Sequence, residues 1–470
     1  MSKRRFRSRL GAALAAAVAA TTVAAAQFEL SYTAGGHDVD GRFMGGTELR
    51  ILTAHQGRLY SGNGYWEDRP GPEGSQGAQV LRLESLSGPW RIEHAFDERL
   101  ADGRARHLAI SALQGVAFQT DRSGRRLPEV VSMLLAGTWD LSRSSEVFAR
   151  DDSTGRWTAM PLPVTRVSSG IQQIRALGFH RDRTTGVDRV FAGNNPYGIF
   201  SGAYEPDAAG HIAWTDKPEL DLRDLSAPSF AGLALPRVAA FAECNGSLYA
   251  VVGQQIYRRV DGAAARWQLV YTNPKPGYSE TGLRGLTAIP NPSGAGEVLL
   301  ATVEGTNARI VRIDPATGAE TTELAIQSAL DRAWDTKVGY VIAGYNDMTM
   351  VADGRGGFDL LLGLEVFLPA GATVPIGHAR VNGLDGGAWY LVRHADQSYE
   401  LHRIAAVHPV TGSQLVATRT IARSPFADDP DRIYFGGFDA NKVSAHNTAW
   451  IFSARKDEAL RGGIAVRTAP

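Results

Sequence analysis

From Glu48 onward, short apolar runs alternate with turns rich in Gly, Asn and Asp, and few stretches keep a helical periodicity for long. Apolar runs that alternate at a period of two between turn residues are typical of β-strands joined by tight turns. One pattern recurs along the chain: an apolar strand, a polar turn, a second strand that ends in a small residue, and then two further strands that often contain Trp. The sequence therefore predicts repeated antiparallel sheets.

The copies are clearest when the first two strands of each unit are read together. They run LRILTAHQGRLYSG, ISALQGVAFQTDRSG, IRALGFHRDRTTGVDRVFAG, RVAAFAECNGSLYAVVG, LRGLTAIPNPSGAGEVLLAT and DMTMVADGRGGFDLLLG. The matching first-strand positions lie about 47 to 64 residues apart, at Arg50, Gln114, Arg175, Arg237, Arg284 and Asn346. Four strands per unit at such a period predict a β-propeller.

A seventh unit can be assembled from LVATRTIARSPF, RIYFGGF and NTAWIFSAR, and it lacks a last strand. The segment FELSY, within Gln27–Tyr32, is predicted to supply that strand and to close the ring, which hides the edge strands. The predicted fold is all-β, a seven-bladed β-propeller of four-stranded blades that forms a single domain over residues 27–470. Eight blades and a pair of packed β-sandwiches stay open as alternatives. The chain resembles the β-propeller superfamily in general, without a regular Kelch, WD-repeat or sialidase Asp-box signature.

Residues 1–26 read as a signal peptide. The basic start MSKRRFRSRL is followed by the Ala-rich stretch GAALAAAVAATTVAAA and a small-residue site at its end. No other stretch approaches 18 uninterrupted apolar residues, so no stable membrane span is expected after cleavage. The predicted location is secreted or periplasmic, and an uncleaved membrane anchor is the alternative.

Composition excludes several classes of function. Lys+Arg and Asp+Glu both number 49, so there is no bulk positive charge to hold nucleic acid, and no nucleic-acid partner is expected. The single cysteine, Cys244, excludes an intrachain disulfide and a multi-thiolate metal centre. With 44% hydrophobic and 21% charged residues, the chain is not intrinsically disordered.

Arginines at matching first-strand positions are the main functional signal. Arg50, Arg175, Arg237 and Arg284 are predicted to line one mouth of the channel, on the face that carries the polar second-to-third strand loops. Guanidinium groups match the hydrogen-bonding geometry of carboxylates. Several cations in a partly desolvated channel repel one another unless anions neutralise their charge. The expected partner is an anionic glycan. The alternative is that each arginine pairs with an acid of a neighbouring blade, such as Glu48 or Asp347.

Candidate proton carriers on that face are few. They are His107, Tyr345, His378 and His446, because histidine acts near neutral pH and a tyrosine beside arginines has a lowered pKa. For each histidine, an ordinary hydrogen-bonded residue is the alternative. Trp66, Trp139 and Tyr197 are candidates for stacking on sugar rings, with packing between blades as the alternative.

Metal chemistry has weak support, because no HExxH, CxxC or calcium-loop motif is present. No metal ligand and no cofactor is therefore assigned, although a channel Ca²⁺ or other divalent ion stays open. Its oxygen ligands would come from Glu67, Asp140, Asn195, Asp347 and Asp439.

These ingredients are similar to those of propeller-shaped polysaccharide lyases. The resemblance implies β-elimination next to a uronate, in which a cation neutralises the carboxylate, a base removes the neighbouring proton and an acid protonates the leaving oxygen. A non-catalytic propeller that binds a glycan or a protein, and a metal-dependent lactonase or esterase, are the alternatives. The oligomeric state is not predicted.

Overall fold

The computed structural model describes residues 28–65, 77–164, 172–225, 237–279, 281–345, 348–368, 387–410, 412, 414–439 and 447–467. The predicted signal peptide and the candidates Trp66, His378 and His446 lie outside these residues. Among the described residues, no helix has the length and apolar character needed to cross a membrane.

The first half of the chain consists of antiparallel strands joined by turns. Short strands come first: β1 (Glu29–Thr33), β2 (Gly36–His37) and β3 (Phe43–Met44). The next eight are β4 (Glu48–His55), β5 (Arg58–Gly64), β6 (Gln79–Leu83), β7 (Arg91–Ala95), β8 (His107–Thr120), β9 (Arg126–Asp140), β10 (Glu146–Asp151) and β11 (Trp157–Pro161). They are followed by β12 (Gln173–Arg181), β13 (Asp188–Asn195), β14 (Gly198–Tyr204), β15 (Ile212–Trp214) and β16 (Leu220–Asp221), with 3₁₀ turns at Ala209–His211 and Leu222–Asp224.

The second half continues in the same way and adds two helices. Its strands begin with β17 (Val238–Cys244), β18 (Ser247–Val252), β19 (Gln255–Val260), β20 (Arg266–Thr272), β21 (Leu283–Pro290), β22 (Glu297–Val303), β23 (Arg309–Ile313) and β24 (Glu320–Leu324). Helix α1 (Ile326–Trp334) precedes β25 (Tyr340–Ala343), β26 (Thr349–Ala352), β27 (Phe358–Phe367), β28 (Ala388–Arg393) and β29 (Tyr399–Ile404). The last elements are β30 (Leu415–Arg423), β31 (Arg432–Asp439), β32 (Ala449–Arg455), α2 (Lys456–Ala459) and β33 (Ile464–Val466).

These strands pair as successive meanders, so the all-β class is confirmed. The meanders are β4–β7, β8–β11, β12–β15, β17–β20, β21–β24 and β26–β29, followed by β30–β32. The first strand of each meander contacts the first strand of the next, with β25 and β27 also taking part, and β30 contacts β4. This arrangement is consistent with a β-propeller.

Both ends of the chain add strands to sheets formed by distant residues. Strand β1 pairs antiparallel with β32, with Glu29 opposite Ser453, at the place expected for the N-terminal segment. Strand β33 pairs with β29, with Glu400 opposite Ala465, and this second pairing was not predicted. Each pairing covers a sheet edge that would otherwise expose unpaired backbone groups.

Glycines on second strands let the next inner strand approach closely. A Cβ atom on Gly193 would lie 2.6 Å from Val238 Cγ1, and one on Gly363 would lie 2.2 Å from the Thr418 carbonyl oxygen. Real Cβ atoms do not approach neighbours so closely, so a side chain at either position would push adjacent sheets apart.

Helix α1 is the main departure from the predicted all-strand pattern. Ile326, Ala329, Leu330 and Trp334 are buried on one face of the helix, at spacings that suit a period of 3.6 residues. The helix ends at Asp335, whose φ of 46° lies in the left-handed region. Its buried face packs into the apolar core between the β21–β24 and β26–β29 meanders.

Candidate functional site

Four arginines occupy β-bulges of inner strands. The pairing register shifts between Leu49 and Ile51 in β4, between Ile174 and Ala176 in β12, between Leu283 and Leu286 in β21, and between Thr418 and Thr420 in β30. The residues set aside by these shifts include Arg50, Arg175, Arg284 and Arg419. A bulge leaves one residue out of the hydrogen-bonded strand pairing and redirects its side chain. Each of these four strands can therefore direct its arginine to the same side.

The four guanidinium groups surround the ring of Tyr345, which follows β25. Their Cζ atoms lie 5.7 Å (Arg50), 4.6 Å (Arg175), 4.5 Å (Arg284) and 4.7 Å (Arg419) from the ring centroid. Arg50 Nη2 donates to the Tyr345 hydroxyl at 2.8 Å, and Arg175 Nη2 donates to the Tyr345 carbonyl oxygen at 3.4 Å. These four residues are called the arginine cluster below, and all of them are buried.

The arginine cluster changes the acidity of the tyrosine that it surrounds. Burial alone would raise the pKa of Tyr345, but the positive charges of Arg50, Arg175 and Arg284 outweigh burial and lower the pKa to about 8. A phenol that ionises near pH 8 can exchange a proton under mildly alkaline conditions, which an ordinary tyrosine cannot do. The prediction that arginines would lower the pKa of a candidate tyrosine therefore agrees with the geometry at Tyr345.

Carboxylates lie behind part of the arginine cluster. Arg284 donates to Glu304, which also accepts from the Tyr340 hydroxyl. Arg419 bonds Glu365 through Nε at 3.1 Å and Nη2 at 3.2 Å, and it also contacts Glu48. Arg50 Nε also lies 3.8 Å from Glu48 Oε1, the acid named in the alternative expectation. Acids therefore answer Arg50 and Arg284 among the arginines considered from the sequence, and Arg419 in addition.

Arg175 is one of two cations in the arginine cluster, with Arg419, whose pKa falls because burial penalises the charged form. Burial lowers its pKa to about 9, and the like charges of Arg284, Arg50 and Arg237 act in the same direction, while Tyr345 opposes them. A guanidinium group stays protonated at neutral pH despite such a shift. The carboxylates that face the arginine cluster among the described residues include Glu48, Glu304 and Glu365.

Of the four arginines proposed from the sequence, Arg237 has a different position. It precedes β17, and its Nη1 donates to Thr281 Oγ1 at 3.3 Å. The register shift of β17 falls at Ala239, and a shift of β8 falls at Ser111. Ala239 and Ser111, rather than Arg237 and Gln114, therefore match the bulged arginines.

Arg419 is the site residue that the sequence analysis missed. It lies in LVATRTIAR, which was assigned to an inner strand without a matching arginine position. The sequence does indicate this residue, because it places an arginine near the middle of an apolar, Thr-containing strand. A buried strand seldom contains a charge without a partner. Aligning that arginine with Arg50 would have found it.

The structure places His107 in another cluster. Its ring lies against Phe96 and Phe148, each with centroids 5.4 Å apart, and Nδ1 lies 3.0 Å from Thr138 Oγ1. Burial lowers its pKa to about 4, so the imidazole is neutral at physiological pH. The described contacts of His107 join it to β9 and β10, and none of them joins it to Tyr345 or the arginine cluster.

The aromatic stacking candidates are packed within the protein. Trp139 is buried against Tyr65, Leu108 and Ala109, which fits the alternative of packing between blades. Tyr197 is buried too, and the guanidinium of Arg223 lies 5.3 Å from its ring centroid. Neither ring lies open as a sugar platform in this structure.

Two cavities lie along the first strands of the meanders. One cavity of about 190 Å³ is lined by residues that include Ile51, Ser111, Gln114 and Arg175. A larger one of about 620 Å³ lies at the first-to-second turns. The smaller cavity reaches Arg175, so the arginine cluster borders it.

Two of the oxygen ligands considered for a channel ion have other partners. Asp140 Oδ2 accepts from Arg106 Nη2 at 2.7 Å, and Asn195 Oδ1 accepts from the Val238 amide at 3.0 Å. Glu67 and Asp347 lie outside the described residues.

Comparisons with known proteins assign no family. No protein-family model matches the chain, and no curated protein sequence does. Among solved structures, a protein from Lactobacillus plantarum is similar at 12% identity, over 88% of this chain and 99% of that one, with a TM-score of 0.42. Trypanosoma rangeli sialidase with the inhibitor DANA is similar at 10% identity, over 92% and 59%, with a TM-score of 0.41. A GH43 β-1,3-galactosidase with galactodeoxynojirimycin is similar at 11% identity, over 62% and 98%, with a TM-score of 0.29.

Proposed function

We propose that the chain is an exported seven-bladed β-propeller, closed by β1 in the last blade, that acts on an acidic, uronate-containing polysaccharide. The observation that carries the proposal is a tyrosine with a lowered pKa inside a ring of arginines from separate repeats. Export rests on the sequence of residues 1–26.

The proposed reaction is β-elimination at the uronate. One or more guanidinium groups of the arginine cluster bind the carboxylate, which stabilises the negative charge that develops when the neighbouring C5–H bond breaks. The Tyr345 phenolate takes that proton. The C5–H electron pair forms the C4=C5 double bond, the C4–O bond breaks, and its electron pair leaves with the glycosidic oxygen.

The leaving oxygen then needs a proton. Tyr345, now a neutral phenol, supplies the proton that it has just taken, so the step balances without an external reagent. His378 and His446 keep their predicted role as alternative bases, with Tyr345 as the acid. His107 is not assigned a role in this reaction because its described contacts lie elsewhere.

A panel of uronate-rich glycans tests the proposal. Elimination creates a conjugated double bond that absorbs in the far ultraviolet, and Tyr345→Phe should lower kcat by about 10²-fold or more, the usual contribution of a positioned acid or base. Tyr271→Phe is the matched control, since Tyr271 is a buried tyrosine hydrogen-bonded to Glu320 and away from the arginine cluster. New reducing ends without ultraviolet absorbance would show hydrolysis and overturn elimination.

Non-catalytic glycan binding is the second candidate, and one observation favours it. The arginine cluster and Tyr345 are almost fully buried, with Tyr345 only 7% exposed, which suits a recognition site better than an open cleft. Under this alternative, uronate binding survives Tyr345→Phe, is lost in Arg175→Gln, and no product forms with any glycan.

A further inference from the structure

Three side chains on β8, β9 and β10 come together away from Tyr345. His107, Asp140 and Glu146 each offer a ligand atom, and these atoms all lie within 4.8 Å of one another. The pairing of the strands explains the meeting, because His107 lies opposite Asp140 across β8 and β9, and β10 pairs with β9 on its other side. His107 and Asp140 are buried, and Glu146 keeps 14% of its side chain exposed.

One ring nitrogen of His107 is held in place and the other is not. Nδ1 lies 3.0 Å from Thr138 Oγ1, whereas Nε2 is buried and has no hydrogen-bond partner within the described parts of the chain. The ring as a whole is only 1% exposed. A histidine that binds a metal through one nitrogen is usually oriented by a hydrogen bond at the other, and Thr138 Oγ1 lies in the place of such an orienting partner at Nδ1.

The charges around the three side chains do not balance. Arg106 contacts Asp140 at 2.7 Å, Glu146 at 2.9 Å and Glu98 at 2.5 Å, so these ion pairs join one guanidinium to three carboxylates. A divalent cation would supply the missing positive charge.

We propose that His107, Asp140 and Glu146 form a binding site for Zn²⁺ that ties β8, β9 and β10 together. One imidazole nitrogen and two carboxylate oxygens are a donor set that Zn²⁺ accepts, whereas Ca²⁺ prefers oxygen donors alone. Arg106 pairs with both carboxylates in this structure, so Zn²⁺ would bind in competition with its guanidinium group. The site is independent of the proposed action on glycans.

Metal binding to chelator-treated protein tests this site directly. Calorimetry with Zn²⁺ should give one site per chain, and Co²⁺ should give visible absorption bands of a site with nitrogen and oxygen ligands. At about a hundredfold excess of Zn²⁺ over its Kd, the melting temperature should rise by a few degrees. His107→Gln and Glu146→Gln should each lose the Co²⁺ bands and the thermal shift.

Two further variants keep the result interpretable. His37→Gln, at an exposed histidine away from the site, should bind Zn²⁺ as the wild type does. Arg106→Gln should bind Zn²⁺ more tightly, because it removes a competing cation, and this gain cannot result from misfolding. Absence of stoichiometric binding, or equal binding by wild type and His107→Gln, would overturn the proposal and leave Arg106 as the sole counter-ion of the cluster.

Discussion

The lowered pKa of Tyr345 predicts how stability depends on pH. Its pKa in the folded protein is about 8, and an unfolded tyrosine ionises near its model value of 10.0. Between these values the unfolded state holds a proton that the folded state has released, so stability rises with pH in this window. A pKa shift of about two units, at about 1.36 kcal/mol per unit, increases the free energy of unfolding by about 2.7 kcal/mol. This increase is fully present above pH 10 and absent below pH 8.

Urea unfolding of wild type and Tyr345→Phe at about pH 7 and about pH 10.5 measures this gain. Other tyrosines also titrate, but they are common to both proteins and cancel in the difference, which reports Tyr345 together with the arginines coupled to it. The advantage of wild type over Tyr345→Phe should grow by about 2.7 kcal/mol between the two pH values. Near-ultraviolet difference absorbance should show one tyrosinate forming with a midpoint near pH 8.

Two variants identify the cause of the shift. Arg50→Gln removes the guanidinium that donates to the hydroxyl at 2.8 Å, so the midpoint should move upward toward that of a free tyrosine. Tyr271→Phe should leave the pH 8 step intact, because burial and Glu320 raise the pKa of Tyr271 instead. A difference spectrum with no ionisation until pH 10, or a stability difference that stays constant with pH, would refute the assignment of an acidic phenol to this site.

Two further predictions concern stability. Arg259 is fully buried and forms ion pairs with Glu219 at 2.9 Å, Asp182 at 2.9 Å and Asp261 at 2.6 Å. Arg259→Met should lower the free energy of unfolding in urea by about 3 to 5 kcal/mol, because it leaves buried carboxylates without their partner. A loss below about 1 kcal/mol would contradict this account. Deleting residues 28–33 removes β1 from the edge of β32. The truncated chain should therefore melt at a lower temperature and self-associate, as measured by light scattering. A monomer with an unchanged melting temperature would contradict ring closure by β1.

The repeat in the sequence was enough to predict three of the four arginines around Tyr345. Arg50, Arg175 and Arg284 recur at equivalent places in first strands, and equivalent places in repeated sheets face the same axis. The sequence could not locate the bulges, however, because a bulge shifts the register by one residue without a fixed residue signature. Arg237 and Gln114 were aligned with the others, but Ala239 and Ser111, two residues later and three residues earlier, take the equivalent places.

Other differences depend on contacts between distant parts of the chain. Trp139 looks like a loop aromatic in the sequence, but Tyr65 and Leu108 from neighbouring strands cover it. The pairing of β33 with β29 joins segments that no local pattern connects. Helix α1 has four apolar residues at helical spacing in only nine residues, a window too short for periodicity to separate a helix from a strand.

The arginine cluster and the phenol of Tyr345 are linked through charge, and this linkage bears on catalysis. The same guanidinium ions that stabilise the phenolate are the groups proposed to bind the substrate carboxylate. A bound carboxylate would neutralise part of their charge, and the pKa of Tyr345 in the complex would then rise from about 8 toward that of an ordinary tyrosine. A phenolate that has formed in the free protein above about pH 8 thereby becomes a stronger base when the substrate arrives, which is the moment at which elimination needs it.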